Sequence, residues 1–196
     1  MKTTETIAGV ILAGGLARRM DNQDKGLVLF KGQPLVSHAI SALRPVVDEL
    51  MINANRNHDD YRRFGFPVVA DQTDDFSGPL AGMLAALCNT QADVLVIVPC
   101  DSPLITAGHL QKLVVCRREQ NADVAVAFDG ERVHPVFLAI KTGLKTSLQA
   151  YLESGGRKVE AWLGQQRVVR VDFSAQPELF ANINTLMELS RLETGH

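Results

Sequence analysis

Hydrophobic and polar positions follow two periods along this chain. Short runs dense in β-branched residues are separated by longer stretches whose apolar positions recur every three or four residues. Residues 7–12 form the first apolar run and end in Ala13-Gly14-Gly15. Residues 34–43 read as a helix, with Pro34 near its first turn and Pro45 beyond its end. Strands are expected at 49–54 and 67–70, and a helix at 80–87. Residues 94–98 are all apolar, all β-branched except Leu95, and close on Pro99. That is the pattern of a strand buried on both faces. A helix over 106–119 has Thr106 as its N-cap. Residues 122–128 and 133–140 read as strands joined across Asp129-Gly130, a hairpin signal. Helices at 145–152 and 185–192 flank a further strand at 168–171.

Strands alternating with helices predict an α/β fold: a Rossmann-like, mainly parallel sheet flanked by helices on both faces, made mixed by the hairpin. The chain of 196 residues has no obvious linker, internal repeat or low-complexity tract, so one domain over 1–196 is expected. Ligands in such sheets bind at the carboxyl ends of strands. Sites are therefore expected just after Leu12, Asn53, Ala70 and Val98.

Composition narrows the function classes. Apolar residues at 46% and charged residues at 21% are ordinary globular usage and exclude a disordered or collagen-like chain. A net charge of −2 leaves no basic face for a nucleic-acid backbone. No apolar run approaches the ~20 residues of a spanning helix, and the polar start of the chain does not read as a signal peptide. Neither a membrane nor a nucleic-acid partner is expected. Cys88, Cys100 and Cys116 are odd in number and lack Cys-x-x-Cys spacing, which suits reduced packing thiols of a cytoplasmic protein. The histidines show no metal-ligand spacing, so no structural zinc is expected.

Two segments carry candidate chemistry. In the first, Leu12-Ala13-Gly14-Gly15 runs into Arg18-Arg19-Met20 and then Asp24-Lys25-Gly26. Glycines let a backbone turn its N–H groups onto a ligand, and Arg and Lys supply charge for a polyphosphate. It is neither Gly-x-Gly-x-x-Gly nor a Walker A sequence, since Gly26 follows Lys25. A basic surface turn is the plainer alternative. The second is Pro99-Cys100-Asp101-Ser102-Pro103, where Asp101 follows the most apolar strand and is held between prolines. A lone carboxylate there suits Mg²⁺, which takes one or two carboxylates and keeps waters and phosphates as its other ligands. A turn-capping aspartate is the alternative.

These residues, with Gly78-Pro79-Leu80-Ala81-Gly82 and the late Asn182-Ile183-Asn184-Thr185 run, resemble the molybdenum cofactor guanylyltransferases. The resemblance runs from about Ile7 to Leu189. Each motif is weak alone, and the ordered set is specific. Leu-Ala-Gly-Gly favours the guanylyl branch of the nucleotidyltransferases, where the cytidylyl branch reads Leu-Ala-Ala-Gly. The family commonly has Gly-Gly after Arg-Met, where this chain has Asp21-Asn22.

The resemblance implies transfer of GMP from GTP to molybdopterin, with release of pyrophosphate. It implies GTP binding by the backbone of Leu12, Ala13 and Gly14 and by Lys25, Asn53, Asp71 and Asp101, with Mg²⁺ on Asp101. Lys25 and Asp101 are the expected catalytic residues. Implied partners are GTP, molybdopterin and, transiently, other proteins of molybdenum cofactor biosynthesis, with a monomer as the expected state. Asn182, Asn184 and Arg157 are candidates for the pterin. A cytidylyl- or sugar-type transferase on the same fold, and a non-catalytic pterin carrier, are the competing readings. His134 and Trp162 are read as structural rather than catalytic or stacking residues, and His134-Pro135 suggests a sheet edge or bulge.

Overall fold

The apolar run expected at 94–98 becomes the spine of the molecule. The computed structural model describes residues 5–14, 24–72 and 78–194. Its elements are β1 (Ile7–Leu12), β2 (Leu29–Phe30), β3 (Gln33–Pro34), α1 (Leu35–Leu43), β4 (Glu49–Asn53), α2 (His58–Arg62), β5 (Val68–Val69) and α3 (Pro79–Cys88). Then follow β6 (Val94–Pro99), α4 (Ala107–Glu119), β7 (Val124–Phe128), β8 (Val133–Lys141), α5 (Lys145–Glu153), α6 (Val159–Leu163), β9 (Val168–Asp172) and α7 (Leu186–Thr194). Seven strands form one sheet in the order β5-β4-β1-β6-β8-β7-β9, and β2 pairs with β3 in a separate hairpin. Only β8 runs against its neighbours. The other pairings within the seven-stranded sheet are parallel, giving the expected mixed α/β sheet.

Strand β6 shows why both faces must be covered. Val94, Val96 and Val98 point into one core with Val36 and Leu43 of α1 and Leu110 and Leu113 of α4. Leu95 and Ile97 point the other way, against Leu80 and Met83 of α3, Leu148 of α5 and Trp162 of α6. The strand's period of two thus feeds two layers of helix. Trp162 is fully buried there, with Nε1 donating to Ser147 Oγ at 3.3 Å, which is a core role.

The structure refines several expectations. Pro34 precedes helix α1 as its N-cap, with ψ of 140°, and does not enter the first turn. Strand β5 is only two residues long, and α2, α6 and the β2–β3 hairpin were not foreseen. Thr106 caps α4 as expected, in a capping box completed by His109. His134-Pro135 lies at a bulge: the β7–β8 register jumps between Val126 and Ala127, so Pro135 sits in an interior strand without having to donate to the ladder.

Candidate active site

The order of strands creates the crevice. From β1 the chain moves to β4 and on to β5, then crosses back to β6 on the other side of β1. Connections leaving β1 and β6 therefore diverge, and a hollow opens at the carboxyl ends of these two strands. It is a cavity of about 380 Å³. Leu12 at the end of β1 and Gly14 just after it, Asn53 at the end of β4, Asp71 after β5, Pro99 at the end of β6 and Asp101 just beyond it line it. Gly78 and Pro79 bring the N-terminus of α3 to the same wall. Gly78 has φ of 69°, a backbone angle that glycine adopts without strain, and Pro79 starts the helix.

One wall carries a fixed carboxylate. Asn53 Nδ2 donates to Asp71 Oδ1 at 2.8 Å, and Asn55 Nδ2 donates to Oδ2 at 2.8 Å. Asn55 Oδ1 accepts the Asp71 backbone N–H at 2.9 Å. Asp71 is thereby oriented by two amides, and among the described residues each of its oxygens accepts one such bond, leaving a second lone pair. Asn53 itself is buried against α3, where a Cβ on Gly82 would collide with its side chain. That contact is why a glycine stands inside this helix.

The opposite wall carries the charge pair. Lys25 Nζ forms an ion pair with Asp101 Oδ2 and donates to Asn184 Oδ1 at 2.6 Å. The C-terminal segment is tied to the same strand end. Ile183 N–H donates to the Asp101 carbonyl at 2.9 Å, and Ser102 Oγ donates to Asn182 Oδ1 at 2.6 Å. Ile183 is fully buried with Val28, Phe30 and Leu35, which anchors the two flanking asparagines over the site.

The MobA-like NTP transferase domain model matches residues 9–169. A molybdenum cofactor guanylyltransferase of Shewanella putrefaciens is 48% identical over 182 residues, covering 93% of each chain. The enzyme of that name from Shewanella loihica is 46% identical over 179 residues, covering 91% of each. In fold, the molybdopterin-guanine dinucleotide biosynthesis protein A of Archaeoglobus fulgidus superimposes with a TM-score of 0.80 at 21% identity, covering 95% of this chain and 97% of its own. This chain belongs to the molybdenum cofactor guanylyltransferases. Membership makes it a nucleotidyltransferase.

Within this guanylyltransferase, Leu12, Gly14, Asn53, Asp71 and Asp101 meet around one cavity, and Lys25 joins them through Asp101. Ala13 is placed differently: its side chain is in the core, and its N–H donates to the Asn53 carbonyl at 2.8 Å. Gly15, Arg18, Arg19, Met20, Asp21 and Asn22 lie outside the described residues. Cys100, next to Asp101, is buried, and burial above all pushes its thiol well above the ordinary range, so it packs as a neutral group. Arg157 Nη1 donates to the Leu152 and Gly156 carbonyls, at 2.9 and 2.8 Å, just beyond helix α5. His134 Nε2 donates to Asp129 Oδ2 at 2.6 Å, and its ring stacks on Phe180 at 4.0 Å. Sequence reading missed Asn55. Its only signal was spacing, since Asn53-x-Asn55 at the end of a strand places both side chains on one face.

Among the described residues no cluster of three or more His, Cys, Asp or Glu could cage a metal ion. The single Asp101 carboxylate on the cavity wall is compatible with magnesium, which needs only one or two carboxylates from a protein. Among the described residues no helix is long and apolar enough to cross a membrane.

Proposed function

We propose that the chain transfers GMP from GTP to the terminal phosphate of molybdopterin, and that Lys25, Asp101 and Asp71 carry the reaction and its specificity. The observation supporting this most directly is the meeting of Lys25 and Asp101 at the β1–β6 crevice, opposite the carboxylate oriented by Asn53 and Asn55. An acceptor phosphate monoester is largely ionised near neutral pH, its second pKa being about 6. No general base is then required. An acceptor oxygen forms a bond to the α-phosphorus of GTP, the bond from that phosphorus to the bridging oxygen breaks, and pyrophosphate leaves with the electron pair.

The obstacle is bringing two anions together. Lys25 can exchange its carboxylate partner for phosphate oxygens and neutralise charge that grows on the leaving group. Gly14, just after β1 on the cavity wall, would let the backbone approach the triphosphate closely. Asp101 is the residue to hold Mg²⁺, which would supply Lewis-acid charge to the phosphate oxygens. Asp71 accepts from guanine N1–H and its 2-amino group, a donor pair that neither adenine nor cytosine presents. A second hollow of about 400 Å³ shares Asn182 with the first and includes Arg132, Phe180, Asn184 and Arg191. It is where we place the acceptor. The reaction is assigned to a monomer in the cytoplasm, with residues 1–196 acting as one domain and the product handed on by transient contact with partner proteins.

The test is pyrophosphate release from purified protein with molybdopterin and Mg²⁺, offered GTP, CTP, ATP or UTP in turn. GTP-specific release supports the assignment. Preference for CTP would place the chain with the cytidylyl enzymes, and no release with any nucleotide would leave a carrier protein.

A further inference from the structure

Lys25 is preceded by a buried carboxylate that contributes nothing apolar to the core and does not line the cavity. Asp24 is 6% exposed. Its Oδ1 accepts from Tyr61 Oη at 2.5 Å and from the Gly26 N–H at 3.3 Å. Its Oδ2 accepts from Asn57 Nδ2 at 3.0 Å and lies 3.5 Å from Arg56 Nε. Asp24 is also the N-cap of the single 3₁₀ turn Lys25–Leu27. A buried carboxylate is costly unless its lone pairs are filled, and here Tyr61, Gly26 and Asn57 donate to it while Arg56 lies beside it.

Those partners connect Lys25 to the main core. Tyr61, on α2, is fully buried among the residues that pack with α1 and α4. Burial foremost, with the charge of Asp24 adding to it, drives its phenol far above the ordinary range, so it remains a proton donor at any working pH. Gly26 is fitted to the same contact, because a Cβ there would collide with the Tyr61 hydroxyl. Asn57 reaches Asp24 from a left-handed backbone position, φ 52°, just before α2. Residues 56–61 thus form a cradle for the turn that bears Lys25.

The geometry points to Asp24 and Tyr61 as positioning residues for Lys25: Tyr61 fixes Asp24, and Asp24 fixes the turn from which Nζ reaches Asp101 and Asn184. This rests on the role given to Lys25 above. A long lysine side chain samples many rotamers, and fixing its base decides how often Nζ is in place for a phosphate. The prediction differs from that of a mere packing contact. If Tyr61 acts through Lys25, its loss matters only while Lys25 is present.

A double-mutant cycle on the full-length protein tests this. Tyr61→Phe, Lys25→Ala and the double variant are compared by calorimetric binding of GTP and of guanosine, and by kcat and KM for pyrophosphate release. Tyr61→Phe should weaken GTP binding and lower kcat by about tenfold each, leave guanosine binding unchanged, and add nothing to Lys25→Ala. Equal losses with and without Lys25, or parallel losses for guanosine and GTP, would reduce the network to a structural role. Wild-type behaviour of Tyr61→Phe beside a crippled Lys25→Ala would overturn the positioning role alone. A normal Lys25→Ala would overturn the role of Lys25 and this inference with it. Should Tyr61→Phe not fold, Asp24→Asn carries the same prediction, since it keeps the shape and removes the buried charge.

Discussion

The crevice at the carboxyl ends of β5-β4-β1-β6 and the β8-β7-β9 half of the sheet use carboxylates in opposite ways. Toward the carboxyl ends of β5-β4-β1-β6, Asp71 and Asp101 stand beyond strand ends and Asp24 stands before the turn of Lys25, oriented by neutral donors, by Lys25 and by Arg56. On the β8-β7-β9 side, Asp123 and Asp129 serve the sheet itself. Asp123 takes Arg167 Nε and Lys141 Nζ at 2.9 and 3.0 Å, joining the starts of β7 and β9 to the end of β8. Asp129 accepts the backbone N–H groups of Arg132 and Glu131 at 2.7 and 2.9 Å, closing the β7–β8 hairpin, and holds His134. Among the described residues, Asp123 is held well below its ordinary range by Arg167 and Lys141, and Asp129 chiefly by the Arg132 and Glu131 amides; Asp93, at the start of β6, is also lowered, by the Thr6 amide and hydroxyl, and it too ties strands together rather than lining the cavity. Perturbed titration often marks active sites. Among the carboxylates it marks fold-holding turns and ion pairs, while the raised Tyr61 and Cys100 are buried groups behind the site, and the site itself is recognised by strand-end geometry.

The comparison breaks most directly at Asp101. Asp101→Asn keeps the shape and removes the charge, so kcat should fall by about 10²-fold or more, on the scale of what a metal Lewis acid supplies. GTP affinity should change far less, and the Mg²⁺ concentration for half-maximal rate should rise. Titrating Mg²⁺ during turnover, beside GTP calorimetry, measures both. Normal turnover at low Mg²⁺ would make Asp101 a turn cap.

Lys25→Ala should come next, at about 2–4 kcal/mol in kcat/KM for GTP, as for loss of a charge-assisted phosphate contact in a closed site. Unlike Asp101→Asn it should also weaken GTP binding, and an unchanged Kd would separate Lys25 from the triphosphate.

Asp71 sharpens the contrast between orientation and catalysis. Wild type should prefer GTP over ITP, which lacks the 2-amino group, by the ~1.5–3 kcal/mol of a hydrogen bond to a charged acceptor. Asp71→Ala should lose that preference while retaining measurable turnover. The same GTP-to-ITP ratio in both proteins would move Asp71 off the base edge.

How far these residues were legible follows from how local their signals are. The parallel half was readable because β1, β4 and β6 are apolar runs closed by punctuation, and because Gly14, Asn53, Asp71 and Asp101 stand just beyond strand ends. The Asp129-Gly130 hairpin was readable from its turn chemistry. Helix α2 was not: it has five residues, His-Asp-Asp-Tyr-Arg, with one buried side chain and no room for a period. Tyr61 reaches Asp24 across 37 positions and Lys25 reaches Asn184 across 159. Such contacts exist only once the sheet has brought distant loops to one edge. Pro34 illustrates a closer miss, since a fixed φ is equally at home at the N-cap and at the first helical position.

The smallest effect belongs to the fold-holding carboxylates, and its sign is fixed. The native chain binds a proton at Asp123 more weakly than the unfolded chain does, because the Arg167 and Lys141 contacts favour the ionised form. Its contribution to stability is therefore complete above the unfolded value, about pH 4, and drains away as pH falls below that toward the lower native value. Arg167 is well exposed, so solvent screens the pair, and the gain is limited to about 0–1 kcal/mol. Thermal unfolding of wild type and Asp123→Asn across pH should show a small gap at pH 7 that closes in acid, with GTP turnover at neutral pH equal in the two proteins. A gap that widens in acid would reverse the assigned sign. A turnover defect in Asp123→Asn would show that the two halves of the sheet are not independent, because a change at the starts of β7 and β9 would then have reached the carboxyl end of β6.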